Sequence, residues 1–183
     1  MKIISGRFKG RNFYTAKGSN ARPTSSKVRG ALFNILYNKI YNAVVVDLFA
    51  GSGGFGLEAL SRGAAKACFC DYDRKAMHGI QGHLDEYGVE KKEYSLYSME
   101  YKRALMKMET EGVLADIIYV DPPYNSKVYD SILVECIPIV NIDATVIIEH
   151  DRRAGIEMAA GYTLDQTKQY GNTTISIFRY EGA

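Results

Sequence analysis

Residues 45–60 read VVDLFAGSGGFGLEAL. The apolar run from Ala43 to Phe49, interrupted only by Asp47, reads as a buried parallel strand, and the small residues after it end the strand. From Gly53 the pattern becomes helical, runs to Arg62 and stops at Gly63. Strand, glycine turn and helix in that order make one βα unit. Gly51, Gly53 and Gly56 spell G-x-G-x-x-G across the turn, and Asp71 lies 20 residues beyond Gly51. That is the spacing of a dinucleotide fingerprint. The glycines fix the kind of fold; they do not say what the turn holds.

On either side of this unit the alternation repeats. AKACFCD is a strand, followed by a helix from about Arg74 to Tyr87 with Gly88 as its stop. A weaker strand at Tyr94 to Tyr97 precedes a helix from Tyr101 to Met108. Then come strand DIIYVD, the tight loop PPYNS, a helix from about Lys127 to Cys136 and strand ATVIIEH. Short links between β and α units predict an open, mostly parallel α/β sheet with helices on both faces. At the end, TLDQTKQY and TTISIFRY flank Gly171-Asn172, a hairpin signal that makes the last strand pair antiparallel. At the start, KIIS and RNFYT are expected to form a short hairpin. Thr24 or Ser25 then caps a helix whose apolar positions are Val28, Ala31, Leu32, Ile35 and Leu36.

The 183 residues and 46% hydrophobic content suit one domain with a real core. No run of 18 apolar residues suggests a membrane span, and the N-terminus MKIISGRFKGR lacks the apolar segment of a secretory signal, so a cytoplasmic protein is expected. Cys68, Cys70 and Cys136 read as buried reduced thiols; a metal pair at Cys68 and Cys70 would need a further ligand cluster, which the sequence lacks. The net charge of +2 conceals an asymmetry. Residues 1–46 hold nine Lys or Arg and no Asp or Glu, whereas residues 47–183 hold fourteen basic and twenty-one acidic residues. A polyanionic partner is expected on the basic end.

Ligands of such sheets sit beyond the carboxyl ends of the strands. A pyrophosphate there would lie beside the carboxylate of Asp47, with like charges repelling. S-adenosylmethionine carries an ammonium and a sulfonium and no phosphate, so Asp47 favours it; Asp71 serves the ribose hydroxyls of either cofactor. DIIYVDPPYNS supplies the second half of a site. Pro122 and Pro123 stiffen the loop and donate no backbone hydrogen bond. Asp121 and the Pro122 carbonyl can accept the two protons of a purine's exocyclic amine, and Tyr124 offers a flat face to an extruded base. His78 and His83 are expected on a helix surface, whereas Glu149 and His150 end the fifth strand and are candidates to border the site.

DLFAGSG and DPPY resemble motifs I and IV of the Rossmann-like methyltransferases that act on amino groups. The whole chain resembles the bacterial RsmD family, through IISGRFKGR, RPTSSKVRGALFNIL, DLFAGSGGFGLEALSRGA, DPPY and KQYGNTTISIF. The resemblance implies a class I S-adenosylmethionine-dependent fold over residues 1–183, with residues 1–24 a basic hairpin and loop extension and residues 25–183 the catalytic core. It implies methyl transfer to N2 of a guanine in 16S ribosomal RNA, within the 30S subunit or an assembly intermediate; a monomer is the simple expectation, and no metal is expected because the positive sulfur already makes the thioether a good leaving group. Asp47, Phe49, Gly51 and Gly53 would line the methionine end of the cofactor, Asp71 the ribose and Thr24 a closing segment. Asp121, Pro122 and Tyr124 would hold the target base. Arg7, Lys9, Arg11, Arg22, Lys27 and Arg29 would lie on RNA. Two positions depart from the family pattern. Glu100 stands where an aspartate usually lies near the adenine, and Asp71 stands where a glutamate is common. An adenine-N6 DNA methyltransferase, a non-catalytic RNA-binding assembly factor and a nicotinamide dehydrogenase are the competing expectations.

Overall fold

Alternation along the central strands sets the layers. In β1 (Val44–Leu48), Val46 and Leu48 enter one apolar cluster and Val45 enters another. In β4 (Ala115–Val120), Ile118 and Val120 join the first cluster, Ile117 and Tyr119 the second. A period of two thus divides each strand between two cores, as in a sheet covered on both faces. The structure, a computed structural model, describes residues 1–14, 26–123 and 127–182.

Seven strands form one sheet in the order β3-β2-β1-β4-β5-β7-β6. The other strands are β2 (Lys66–Asp71), β3 (Tyr94–Ser98), β5 (Val140–Asp151), β6 (Tyr162–Tyr170) and β7 (Thr173–Tyr180). β1 through β5 pair in parallel, and β7 is antiparallel to both β5 and β6. The Gly171-Asn172 turn therefore makes the expected hairpin. α1 (Ser26–Ile35), α2 (Gly54–Ser61) and α3 (Arg74–Glu86) cover one face, and α4 (Tyr101–Thr110) and α5 (Ile132–Cys136) the other.

Several expectations need correction. The N-terminal hairpin is a single antiparallel bridge, Lys2 to Asn12, rather than two strands. It is held by packing: Ile3, Phe8 and Phe13 are buried against α2 and α3. The carboxylate of buried Glu58 accepts from the amides of Ile4 (2.8 Å) and Ser5 (3.0 Å). Gly6 has φ +83°, and a Cβ there would lie 1.7 Å from the Ser61 carbonyl oxygen, so only glycine lets the turn dock. The helix expected over 127–136 is a 3₁₀ turn (Lys127–Asp130) followed by the short α5. His83 is buried, not a surface residue. It follows Ala76 and Ile80 on the apolar face of α3, and its Nε2 accepts from the Tyr14 amide at 3.1 Å.

Candidate active site

The glycine loop is built by carboxylates. The N-cap of α2 is Gly53, which has no side chain to cap the helix. Asp47 supplies the missing acceptor from below: its Oδ2 takes the Gly56 amide at 2.9 Å, satisfying one of the orphan donors of a helix start. That carboxyl is 2% exposed, and burial pushes its pKa up to about 8, the Gly56 bond opposing and Asp71 adding to the rise. Gly56 is needed for another reason. A Cβ there would meet the Phe69 ring at 2.2 Å, so the third glycine brings α2 close to β2. Phe49, just past β1, has φ +64°, an outlier for a bulky residue of the kind found at ligand sites.

Asp71 ties this loop to the next one. Its Oδ2 accepts from the Gly51 amide at 2.8 Å and its Oδ1 from the Asp73 amide at 2.9 Å. Each oxygen keeps further acceptor capacity for hydroxyls. Glu100 caps α4, accepting from the Lys102 amide at 3.0 Å. Between these ends lies a cleft of about 240 Å³, lined by Phe49, Cys70 and Asp71, by Tyr72, Met99, Glu100 and Tyr101, and by Pro123. It spans the carboxyl ends of β1, β2 and β3 and reaches the corner after β4. Phe49 and Tyr101 pack against each other with ring centroids 5.1 Å apart. No lysine or arginine lines the cleft among the described residues, so it offers carboxylates and aromatic faces but no counterion for a phosphate.

The structure brings Phe49, Asp71, Glu100 and Pro123 together, while Asp47, Gly51 and Gly53 shape the loop from behind. Asp121 is the half-buried residue after β4, and Pro122 is buried. Arg22, Thr24 and Tyr124 lie outside the described residues. Tyr72, Met99 and Tyr101 were not among the residues singled out from sequence. The signal for Tyr72 was its place directly after the strand-ending Asp71; Met99 and Tyr101 flank Glu100 in the same way. Glu149 and His150 are buried at the end of β5 and are not in the cleft lining. His150 Nε2 bonds Ser176 Oγ at 2.9 Å, and the Tyr119 hydroxyl donates to Glu149 Oε2 at 2.6 Å.

The basic residues are placed differently from expectation. Arg29 is 2% exposed, so it is withdrawn from the RNA surface. It donates to the Lys2 carbonyl at 2.7 Å, lies 3.7 Å from Glu58 and covers the Phe13 ring at 5.0 Å. Burial lowers its pKa from the ordinary value, with Glu58 opposing. Arg29 is a strut that joins α1, α2 and the N-terminal segment. Arg7 pairs with Glu93, just before β3, and Arg11 donates to the Glu86 carbonyl at the end of α3. Both are therefore at the amino ends of the strands, about 16–20 Å from the cleft for strands of this length. Lys9 and Lys27 are exposed, and Lys27, in the first turn of α1, is at the cleft end. The cysteines stay thiols: burial raises Cys68 to about 11 and Cys70 to about 12. Among the described residues no group of three or more His, Cys, Asp or Glu is placed to hold a metal, and no helix is long and apolar enough to cross a membrane.

A family model described as "Conserved hypothetical protein 95" matches residues 1–179. The chain belongs to this family. It is the RsmD family that the sequence motifs resemble. Within the family, the Ribosomal RNA small subunit methyltransferase D of Buchnera aphidicola is 30% identical over 168 residues, 91% of this chain and 86% of that protein. The Escherichia coli K12 protein of the same name is 28% identical over 184 residues, covering 99% and 90%. The solved structure of the Escherichia coli protein yhhF superposes with a TM-score of 0.88 at 26% identity, covering 100% of this chain and 99% of that one.

Proposed function

We propose that the protein transfers a methyl group from S-adenosylmethionine to the exocyclic N2 of a guanine in 16S rRNA. The observation that carries this is the cleft itself. It begins at the β1 glycine loop and ends at the Asp-Pro-Pro corner of β4, lined by carboxylates and aromatic faces and, among the described residues, by no cation. A pyrophosphate would meet Asp71 and Glu100 there; a ligand with a cationic sulfur and an ammonium suits the same groups. The relatives named Ribosomal RNA small subunit methyltransferase D support the substrate class.

When bound, S-adenosylmethionine supplies a methyl group on a positive sulfur, which leaves as a neutral thioether. The chain's own residues position the acceptor. Asp121 and the Pro122 carbonyl accept the two N2 protons and turn the nitrogen toward the cleft, and Tyr124 stacks on the base. Holding two reactants in near-attack geometry can lower a barrier by about 7–11 kcal/mol. Asp121 also stabilises the positive charge that develops on the nitrogen, which afterwards loses a proton to water. Asp71 takes the ribose hydroxyls, Phe49 and the glycine turn the methionine end, Glu100 the adenine side, and Thr24 the closing segment. Lys27, in the first turn of α1, meets the RNA backbone. The enzyme acts as a cytoplasmic monomer on the 30S subunit or an assembly intermediate.

The test is a labelled-cofactor assay on small ribosomal subunits, naked 16S RNA and duplex DNA, followed by nucleoside mass mapping. N2-methylguanosine from subunits or 16S RNA is the expected product. Methyladenine in DNA, or no product with intact cofactor binding, would replace this reading.

A further inference from the structure

Glu149 is a buried carboxylate among apolar neighbours at the end of β5. Its neighbours on the same face of the sheet are Ile147 and Ile175, and an aliphatic side chain would suit them at lower cost than a buried acid. Yet Glu149 is 9% exposed and held from two sides. The Tyr119 hydroxyl donates to its Oε2 at 2.6 Å, and the Tyr129 hydroxyl donates to its carbonyl at 3.3 Å. Tyr119 is itself fixed, stacked on Phe55 of α2 at 4.2 Å and 11°. One bond fixes the carboxylate and the other the backbone that carries it.

That position is next to the reaction corner. β4 and β5 run parallel with Tyr119 beside Ile147 and Val120 beside Ile148. Val120 and Ile148 are the last pair of this ladder, and Asp121 and Glu149 are the next residue on each chain segment, where neighbouring strands lie about 5 Å apart. Both acids thus follow paired residues of adjacent strands, at the carboxyl end of the sheet beside the Asp-Pro-Pro corner. A guanine presents two kinds of donor on its Watson–Crick edge, the N2 amine and the N1–H, side by side. An adenine presents an amine and a bare N1 lone pair.

We infer that Glu149 accepts the N1–H of the target guanine while Asp121 and the Pro122 carbonyl accept its N2 protons, making Glu149 the residue that selects guanine. This rests on the guanine-N2 reading above and adds the identity of the selecting group. A base with an unprotonated N1 would face a carboxylate lone pair and leave that buried acceptor without its partner, the situation that gives sites built for a hydrogen bond their strongest discrimination. Tyr119 acts through Glu149 as a positioning residue.

The experiment first maps the modified guanine with the wild-type enzyme, then installs 2-aminopurine at that position by ligation. 2-Aminopurine keeps the N2 amine but has a bare N1. Wild type should methylate it about 100-fold or more slowly than guanine. Glu149→Gln keeps the shape and an acceptor for the Tyr119 hydroxyl, while its amide can donate to a bare N1. It should retain S-adenosylmethionine affinity and melting temperature, lose about 100-fold on guanine, and narrow the guanine preference to about tenfold or less. Tyr119→Phe should lower turnover on guanine by about tenfold without altering cofactor affinity. The inference is overturned if wild type methylates both bases equally, if Glu149→Gln works at the normal rate, or if it slows while keeping the full preference for guanine. If wild type yields no N2-methylguanosine at all, it is the guanine-N2 reading that fails.

Discussion

Asp47 holds the glycine loop at a cost that depends on pH, and replacing it with asparagine should expose that cost. A carboxyl whose ordinary pKa is 3.8 sits at about 8 in the fold because it is buried. The folded protein therefore keeps a proton that the unfolded chain gives up above pH 4. Native protein binds more protons than unfolded protein in that window, so this group's contribution to stability falls as pH rises from about 4 to about 8, then levels off. At about 1.4 kcal/mol per pK unit, the loss relative to a neutral group is about 2 kcal/mol at pH 5.5 and about 5 kcal/mol at pH 8. An asparagine side chain would keep an oxygen for the Gly56 amide and could not titrate. Its buried NH₂ costs roughly 1–3 kcal/mol at any pH if it finds no partner. Asp47→Asn should thus be near wild type in stability at pH 5.5 and about 2–4 kcal/mol more stable at pH 8. The change in the difference between the two pH values, about 3 kcal/mol, does not depend on the amide's cost. Urea unfolding of both proteins at both pH values measures it. A stability difference that stays constant from pH 5.5 to pH 8 would refute the assignment of a neutral, buried Asp47. Calorimetry adds the functional side: cofactor affinity of the wild type should rise with pH toward 8 as Asp47 ionises, whereas the asparagine variant should bind more weakly and without that pH dependence.

Other outcomes follow from the site and its supports. Asp121→Ala should leave cofactor affinity nearly intact and abolish turnover; a normal methylation rate would remove Asp121 from the reaction. Arg29→Met leaves Glu58 with one fewer buried partner and should lower stability by about 3–5 kcal/mol, while the salt dependence of RNA affinity stays unchanged because Arg29 does not reach the surface. Neutralising Lys27 should instead reduce the slope of log affinity against log salt by up to about one unit. Gly56→Ala drives a methyl into the Phe69 ring and should cost about 1–3 kcal/mol or more in denaturant unfolding; unaltered stability would show that α2 can withdraw from β2 freely.

The βα alternation, the covering of both sheet faces and the antiparallel last strand pair were legible because they rest on local pattern. The stretch 43–63 shows a buried strand, a glycine turn and a helix, and the same period recurs down the chain. Helix ends at Gly63 and Gly88 and the hairpin at Gly171-Asn172 follow from backbone conformations that glycine adopts readily. His83 was legible too, had the helix face of Ala76 and Ile80 been extended one more turn. What pattern could not carry was pairing across distance. Nothing local separates Arg29, buried against Glu58 29 residues later, from exposed Lys27 two positions before it. The count of basic residues in the first 46 positions suggested a single polyanion-binding face. The fold ties Arg7 and Arg29 to acids and sends Arg7 and Arg11 to the end of the sheet away from the cleft.

The sequence by itself determined the βα alternation, the glycine loop with Asp47 before it, and the Asp-Pro-Pro corner, because each is set by neighbours a few residues apart. Only the tertiary structure decided that Asp71 would bind the Gly51 amide, that Val120 and Ile148, the residues before Asp121 and Glu149, would pair, and that Arg7, Arg11 and Arg29 would serve as struts. Those facts depend on strand register and helix docking, where contacts between residues 20 to 90 positions apart compete in energy and no local pattern ranks them.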